Sequence, residues 1–346
     1  MIELGVIGLN REFGTSQSGH ATVTASDFAE GRATFLVTER FLLGRRKETM
    51  ICVFERTARF LQLGKGAFCM ERQREIDFSF WNERWKQNYI ERELRIRANP
   101  MIDYWDKRAR DFFLMRKSND YDFGWNVYAA LRGVLDPDAT LLDIGAGPGS
   151  FTIPFAQQIK FVTAIKLSKG MAVALKANAK EAGVENFILI EELFEELPQE
   201  PSPDFQFDLV AISLVLWMFP DVWPRIVQME RYAKGCCAIV AGIPDWKNPK
   251  VIGNADVEEF QILYNMLISQ GRFPNVSIID YRCERTVADE IECRKLMYEQ
   301  YEQDLNPEAE EKIRREVMAG AKDGMCLIVS RSAVIWWNPR EIVSNV

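Results

Sequence analysis

The sequence lacks the features expected of a membrane, zinc or disulfide-dependent protein. No run reaches the roughly 18 uninterrupted apolar residues that a membrane span needs, and the longest, from Leu209 to Pro220, includes Ser213. The chain has a single histidine and seven cysteines, with no C-x-x-C pair. We therefore expect no metal site and no disulfide framework, which favours a cytoplasmic location. The first residues carry no basic stretch, so a secretory signal is not predicted.

Acidic and basic residues are unevenly distributed along the chain. Residues 1–118 hold 21 Lys and Arg against 16 Asp and Glu, net +5, and the remainder is net −12. A basic region of this kind can bind RNA or another anionic partner. Arg and Glu alternate through residues 71–97, however, as on a solvated helix face with ion pairs. The solvated face is the favoured interpretation, and a nucleic-acid interface stays open as the alternative.

Three regions differ in their residue patterns. Short apolar runs between glycine turns predict a small β-rich module over residues 1–75, with the role of a lid, a homodimer contact or a substrate module left open. Aromatic residues at helical spacing predict a helical lid or linker over residues 76–135. Over residues 136–346 apolar strands alternate with helices, which predicts parallel βαβ units and hence an α/β fold.

The most informative stretch is residues 141–155, Leu-Leu-Asp-Ile-Gly-Ala-Gly-Pro-Gly-Ser-Phe-Thr-Ile-Pro-Phe. An apolar strand is predicted to end at Ile144, and Ser150 is predicted to cap a helix that begins at Phe151. The alternating glycines between them allow positive φ and close approach of the main chain to a ligand. A dinucleotide-binding turn would need Gly or Ala at position 150, and a P-loop would need a following lysine. Neither pattern is present.

The D-x-G-x-G-x-G pattern from Asp143 to Gly149 resembles the turn of class I S-adenosylmethionine (SAM) dependent methyltransferases. The resemblance extends from about Pro137 to Trp337. It implies a doubly wound, mostly parallel seven-stranded sheet with SAM across the carboxyl ends of the strands, and transfer of a methyl group to an acceptor. Base-modifying members carry an Asn/Asp-Pro-Pro-Tyr tetrad after the fourth strand, where this chain has Ser-Leu-Val-Leu-Trp. A small-molecule acceptor is therefore the favoured hypothesis.

The resemblance also implies which residues contact the cofactor, since these follow the carboxyl ends of the strands. They are Asp143, Gly145, Ala146, Gly147, Gly149, Lys166, Leu167, Glu192, Leu193, Phe194 and Ser213. Phe194 is expected to stack on the adenine or form a wall beside it.

A second set of candidates is predicted to meet the substrate. In the family, a segment like 103–109, Asp-Tyr-Trp-Asp-Lys-Arg-Ala, folds over the cofactor, so Tyr104 and Trp105, together with Trp217, are predicted to enclose the acceptor. Methyl transfer depends mainly on holding the nucleophile near the methyl carbon, and no obvious base is present. Tyr104, Asp106 and Asp245 are the candidates for a catalytic role.

Two positions depart from the family pattern. Where a carboxylate normally accepts hydrogen bonds from the ribose, this chain has Lys166, which cannot accept. Where an aspartate often accepts from the adenine amino group, it has Leu193. Three interpretations stay open: SAM binds with lower affinity, Lys166 selects a ligand with an anionic group, or the fold has lost catalysis and serves as a binding scaffold.

Overall fold

The structure, a computed structural model, describes residues 78–93, 105–109, 120–243, 259–301 and 305–341. The β-rich module predicted over residues 1–75 lies outside the described residues. So do two of the predicted site residues, Tyr104 and Asp245. Every statement below concerns the described part of the chain.

A seven-stranded sheet organises these residues. Its strands are β1 (Thr140–Ile144), β2 (Phe161–Ile165), β3 (Phe187–Ile190), β4 (Phe207–Ser213), β5 (Ala233–Gly242), β6 (Asn275–Thr286) and β7 (Met325–Trp337). The spatial order is β3-β2-β1-β4-β5-β7-β6. The strands β1 to β5 run parallel, and β7 is antiparallel to both β5 and β6. This arrangement confirms the predicted mostly parallel, doubly wound sheet.

The central strands are continuous apolar runs because both of their faces are covered. Successive residues of a strand point to opposite faces. Leu141 packs in one apolar cluster and Leu142 in the other, and Leu209 and Val210 divide in the same way. All four side chains are fully buried. Helices on both faces of the sheet account for this burial.

Eight labelled helices accompany the strands in the described part of the chain. They are α1 (Phe78–Glu93), α2 (Asp122–Leu131), α3 (Thr152–Ala156), α4 (Lys169–Glu181), α5 (Trp223–Tyr232), α6 (Glu259–Ser269), α7 (Val287–Tyr301) and α8 (Pro307–Gly320). Residues 105–109 add a short helical segment. Among these helices none has both the length and the apolar content to cross a membrane.

The ends of the helices follow local capping chemistry, with one correction. Ser168 precedes α4, and its hydroxyl accepts a hydrogen bond from the Met171 amide, as expected of an N-cap. The prediction that Ser150 caps the next helix after β1 is wrong. The helix α3 begins at Thr152, and the residue before it, Phe151, makes no side-chain cap bond. The turn after β1 is thus longer than the glycine pattern alone suggests.

The strand order places a crevice beside the carboxyl end of β1. The chain passes from β1 to β2 and β3 on one side, and the sheet continues through β4 and β5 on the other. The chain therefore crosses from one side of β1 to the other between β3 and β4. Open α/β sheets bind their ligands at such a switch point, outside the carboxyl ends of the strands. The predicted glycine turn, which follows β1 directly, lies at this position.

Candidate functional site

The glycine turn after β1 has a backbone that few other residues could adopt. Gly145, Gly147 and Gly149 have φ values of 78°, 55° and 92°. The amides of Gly145 and Ala146 both donate to the Ile165 carbonyl of β2, at 3.0 and 3.1 Å. These bonds fix the turn against the neighbouring strand, so its conformation is set before any ligand arrives.

The three glycines face different surroundings. A Cβ at Gly145 would lie 2.7 Å from the Val215 side chain, and one at Gly149 would lie 2.5 Å from Leu175. At Gly147 the nearest atom of any residue that the structure describes would be a backbone oxygen 4.0 Å away. Packing within the protein therefore explains two of the glycines, whereas Gly147 leaves open space beside its main chain. A bound group can approach the backbone there.

Asp143 is the most unusual side chain of the site. It is 1% exposed, and its Oδ2 accepts a hydrogen bond of 2.5 Å from the Thr152 hydroxyl. Its other oxygen, Oδ1, has no hydrogen-bond partner in the described part of the chain. Burial raises the pKa of Asp143 to about 7, against the opposing effects of the Thr152 bond and the charge of Lys166. A buried acceptor without a donor is costly and indicates a place for a ligand donor.

The helical segment 105–109 lies against the end of β2. Asp106 Oδ1 accepts from the Ser168 hydroxyl at 2.5 Å and from the Gly170 amide at 2.9 Å. A Cβ at Gly170 would come within 3.2 Å of both Asp106 and Ala109, so the two segments are in close contact. Asp106 thereby adds its carboxylate to the start of α4, where negative charge is favourable.

Lys166 lies at the end of β2, close to this segment. Its Nζ is 5.6 Å from the centroid of the Trp105 ring, within the range of a cation–π contact. Burial lowers the pKa of Lys166 to about 8, although the charges of Asp106 and Asp143 act to raise it. The side chain is thus a partly buried cation between two carboxylates. Leu167, which follows it, is half-buried.

Aromatic side chains approach the crevice from its other side. The rings of Trp105 and Trp217 are 6.3 Å apart, which brings together two of the predicted lid residues. Trp217 is held by α1, since the Arg92 guanidinium lies 4.9 Å from its ring and donates to its carbonyl. The Trp217 indole donates to the Leu214 carbonyl, and Leu214 itself has a φ of 55°. The loop after β4 is therefore fixed in a conformation unusual for leucine.

The residues after β3 are placed differently from the prediction. Glu192 is exposed, and Leu193 is 36% exposed. Phe194 is only 2% exposed, and its ring packs against Tyr232 of α5 with centroids 5.9 Å apart. The ring therefore fills the core, unlike the adenine wall that the sequence suggests, and Leu193 is the apolar side chain left at the surface.

The remaining predicted residues lie where their strands end. Ala146 is buried within the glycine turn, and Ser213 is half-buried at the end of β4. Two contributors, Thr152 and Arg92, were not predicted from the sequence. Thr152 bonds Asp143 across the glycine turn, and Arg92 lies on the charged part of a helix whose aromatic residues alone suggested a role. No recognisable sequence motif pairs Thr152 with Asp143 or Arg92 with Trp217.

The arrangement suits an organic ligand rather than a metal ion. In the part of the chain that the structure describes, no group of three His, Cys, Asp or Glu side chains could hold a metal. Around the glycine turn lie a buried carboxylate oxygen that has no partner among the described residues, half-buried main chain at Gly147 and the two tryptophans. A ligand that brings a hydrogen-bond donor to the carboxylate oxygen fits this arrangement, and the ammonium of SAM is such a donor.

Comparison with known proteins agrees with this interpretation. Residues 142–236 match the family model described as a methyltransferase domain. A tRNA/tmRNA (uracil-C(5))-methyltransferase of Pseudomonas aeruginosa is 33% identical over 138 residues, which make up 40% of this chain and 37% of that protein. The uncharacterized methyltransferase YcgJ of Bacillus subtilis is 30% identical over 94 residues, 27% of this chain and 36% of that protein.

These likenesses are partial. The matches cover between 21% and 37% of the length of the curated relatives. The crystal structure of YcgJ aligns with 62% of this chain and 97% of its own, at 16% identity and a TM-score of 0.41.

Proposed function

We propose that this chain, whose residues 142–236 match the family model of a methyltransferase domain, binds SAM and transfers its methyl group to a small acceptor. The observation that carries the proposal is the crevice at the end of β1. There Gly147 leaves its main chain open and Asp143 presents an unpaired buried oxygen. A single ligand accounts for both observations, because its shape fills the space beside Gly147 and its positive charge pairs with Asp143.

Different residues of the chain would contact the cofactor and the acceptor. When bound, SAM supplies an electrophilic methyl group on a sulfonium. Gly147 would lie against the ligand, and Asp143 Oδ1 would accept from its methionyl ammonium, because a carboxylate and an ammonium form a strong charge-assisted bond. The rings of Trp105 and Trp217 exclude water from the acceptor and hold it for in-line attack. The bond from Ser168 keeps the pKa of Asp106 below its ordinary value, so Asp106 is a poor proton acceptor.

A pair of glycine substitutions tests the proposal. Gly147 and Gly183 both have positive φ, 55° and 66°, and neither has an atom closer than 4.0 Å to an added Cβ. Each change to alanine should lower the free energy of unfolding by about 1–2 kcal/mol, because a Cβ strains left-handed backbone. Gly147→Ala should also weaken binding of S-adenosylhomocysteine by at least about tenfold, as measured by calorimetry, since its Cβ fills the ligand's space.

Gly183→Ala is the matched control, because Gly183 follows α4 away from the crevice. Its affinity for S-adenosylhomocysteine should equal that of the wild type. Equal weakening by both variants would trace the loss to backbone strain alone. If the wild type binds neither SAM nor S-adenosylhomocysteine at millimolar concentration, the proposed activity is refuted.

RNA is a second acceptor class, favoured by the 33% identity with a tRNA/tmRNA methyltransferase and by the net charge of +5 over residues 1–118. The salt dependence of tRNA binding distinguishes the two classes. An RNA acceptor predicts that affinity falls by about tenfold or more between 50 and 200 mM salt, because contacts with phosphates release counterions. A small-molecule acceptor predicts no tRNA binding at either concentration.

A further inference from the structure

We propose that Asp106, on the helical segment 105–109, supplies the ribose acceptor that the end of β2 lacks. The inference rests on the proposed function, since it names a contact to the same nucleoside ligand. The family pattern expects a carboxylate at position 166, and the chain has a lysine there. A carboxylate from another part of the chain lies at the same place in the fold.

The hydrogen bonds of Asp106 establish its position. Its Oδ1 accepts from Ser168 and Gly170, two and four residues after Lys166. The carboxylate therefore lies at the junction between β2 and α4, although it is separated from Ser168 by 62 residues in the chain. The chain thus brings an acceptor to the strand end whose own residue can only donate.

The second oxygen of this carboxylate is available. Both of these bonds use Oδ1, and Oδ2 makes no hydrogen bond to any residue that the structure describes. Asp106 is half-buried, so a ligand can reach it. An ionised carboxylate with one oxygen held by the protein and the other unoccupied is suited to accept from hydroxyl groups.

Charge favours the same role. The Ser168 bond lowers the pKa of Asp106, against the effect of burial, and the Gly170 amide and Lys166 contribute in the same direction. Asp106 is therefore ionised at neutral pH. Lys166 compensates a nearby negative charge instead of contacting the ribose itself, which explains how a lysine is tolerated at this position.

Contacts at both ends hold the segment 105–109 in place. At one end the Trp105 ring lies 5.6 Å from Lys166 Nζ and 6.3 Å from the Trp217 ring. At the other end the buried Arg108 guanidinium donates to Cys293 of α7 at 3.2 Å. Asp106 lies between these anchors, so its carboxylate is positioned before a ligand binds.

A cycle that changes both protein and ligand tests the contact. Calorimetry would measure binding of S-adenosylhomocysteine and of its 2′,3′-dideoxy analogue to the wild type and to Asp106→Asn. The wild type should bind the dideoxy analogue about 10- to 100-fold more weakly, the range for charge-assisted hydrogen bonds. Asp106→Asn should bind S-adenosylhomocysteine that much more weakly and should discriminate between the two ligands by less than about threefold.

Two further variants complete the design. Glu195→Gln makes the same chemical change at an exposed position near β3 and should keep the wild-type discrimination. Asp106→Glu retains a carboxylate and should keep part of the wild-type discrimination between the two ligands. This variant preserves the test if Asp106→Asn fails to fold. Wild-type discrimination in a folded Asp106→Asn, or none in the wild type, would overturn the role of Asp106 while leaving SAM binding intact. Binding of neither ligand by the wild type would refute the proposed function and this contact with it.

Discussion

Two aspartates on the neighbouring strands β1 and β4 show how differently polar groups are bonded at the amino and carboxyl ends of the parallel strands. Asp208, at the amino end of β4, accepts from the Thr140 amide at 2.8 Å and hydroxyl at 2.9 Å, and pairs with Lys234. Asp143, at the carboxyl end of β1, has one bond and one unpaired oxygen. Burial acts to raise both pKa values. The bonds outweigh it at Asp208, whose pKa is lowered, and not at Asp143.

The same contrast extends to the cations at the two edges. Near the amino end of β5, Arg272 makes two bonds to Glu230, at 2.9 and 2.7 Å, and the Trp337 indole donates to the same carboxylate at 2.8 Å. At the carboxyl end the contacts of Lys166 within the described part of the chain are a ring contact with Trp105 and the more distant charges of Asp106 and Asp143. In these two comparisons the polar groups at the amino ends of the strands are fully bonded, whereas Asp143 and Lys166 at the carboxyl ends are not.

The largest effect on stability should come from the buried ion pair near the amino end of β5. Arg272→Ala should lower the free energy of unfolding by about 3–5 kcal/mol, because it leaves the carboxylate of Glu230, 9% exposed, without its cation. Urea unfolding measures the change. The affinity of the folded variant for S-adenosylhomocysteine should not change, since the pair lies at the opposite edge from the glycine turn.

Arg331→Ala provides the matched control for this prediction. Arg331 pairs with Asp280 in similar geometry, at 2.6 and 2.9 Å, but both side chains are more than half exposed. Its loss should cost about 1 kcal/mol or less, since water screens the pair. Equal costs for the two arginine variants would contradict the claim that the amino-terminal edge depends on buried, fully bonded charge.

Local patterns in the sequence predicted most of the sheet and the glycine turn. An apolar run such as Phe207–Ser213 specifies a buried strand regardless of what packs on it, and three glycines spaced by two specify a turn with positive φ. These features depend on residues close together in the chain.

Contacts between distant parts of the chain could not be predicted. Phe194 and Leu193 are neighbouring apolar residues, and packing against distant residues such as Tyr232 of α5 places Phe194 in the core. The carboxylate of Asp106 reaches Ser168 across 62 residues, and the sequence alone made it a weak catalytic candidate. The side chains that complete the site thus come from segments whose own patterns indicate only helices.

The unpaired aspartate predicts a pH dependence of stability opposite to that of most carboxylates. Unfolded Asp143 has lost its proton by pH 5, whereas the folded residue keeps it up to a pKa of about 7. The folded state therefore binds more protons in this window, and the free energy of unfolding should fall by about 2–3 kcal/mol from pH 5 to pH 7. Asp143→Asn should remove this decline, as measured by urea unfolding at each pH.

The other titrating groups allow this slope to be isolated. The chain has a single histidine, and the pKa of Lys166, lowered by burial to about 8, affects stability only above the window. Asp208 has its pKa lowered, so its contribution is complete above about pH 4 and Asp208→Asn should keep the wild-type decline between pH 5 and pH 7. A wild type with no decline, or a decline that persists in Asp143→Asn, would show that Asp143 is satisfied like Asp208. Saturating S-adenosylhomocysteine should shrink the decline, because its ammonium favours the charged carboxylate.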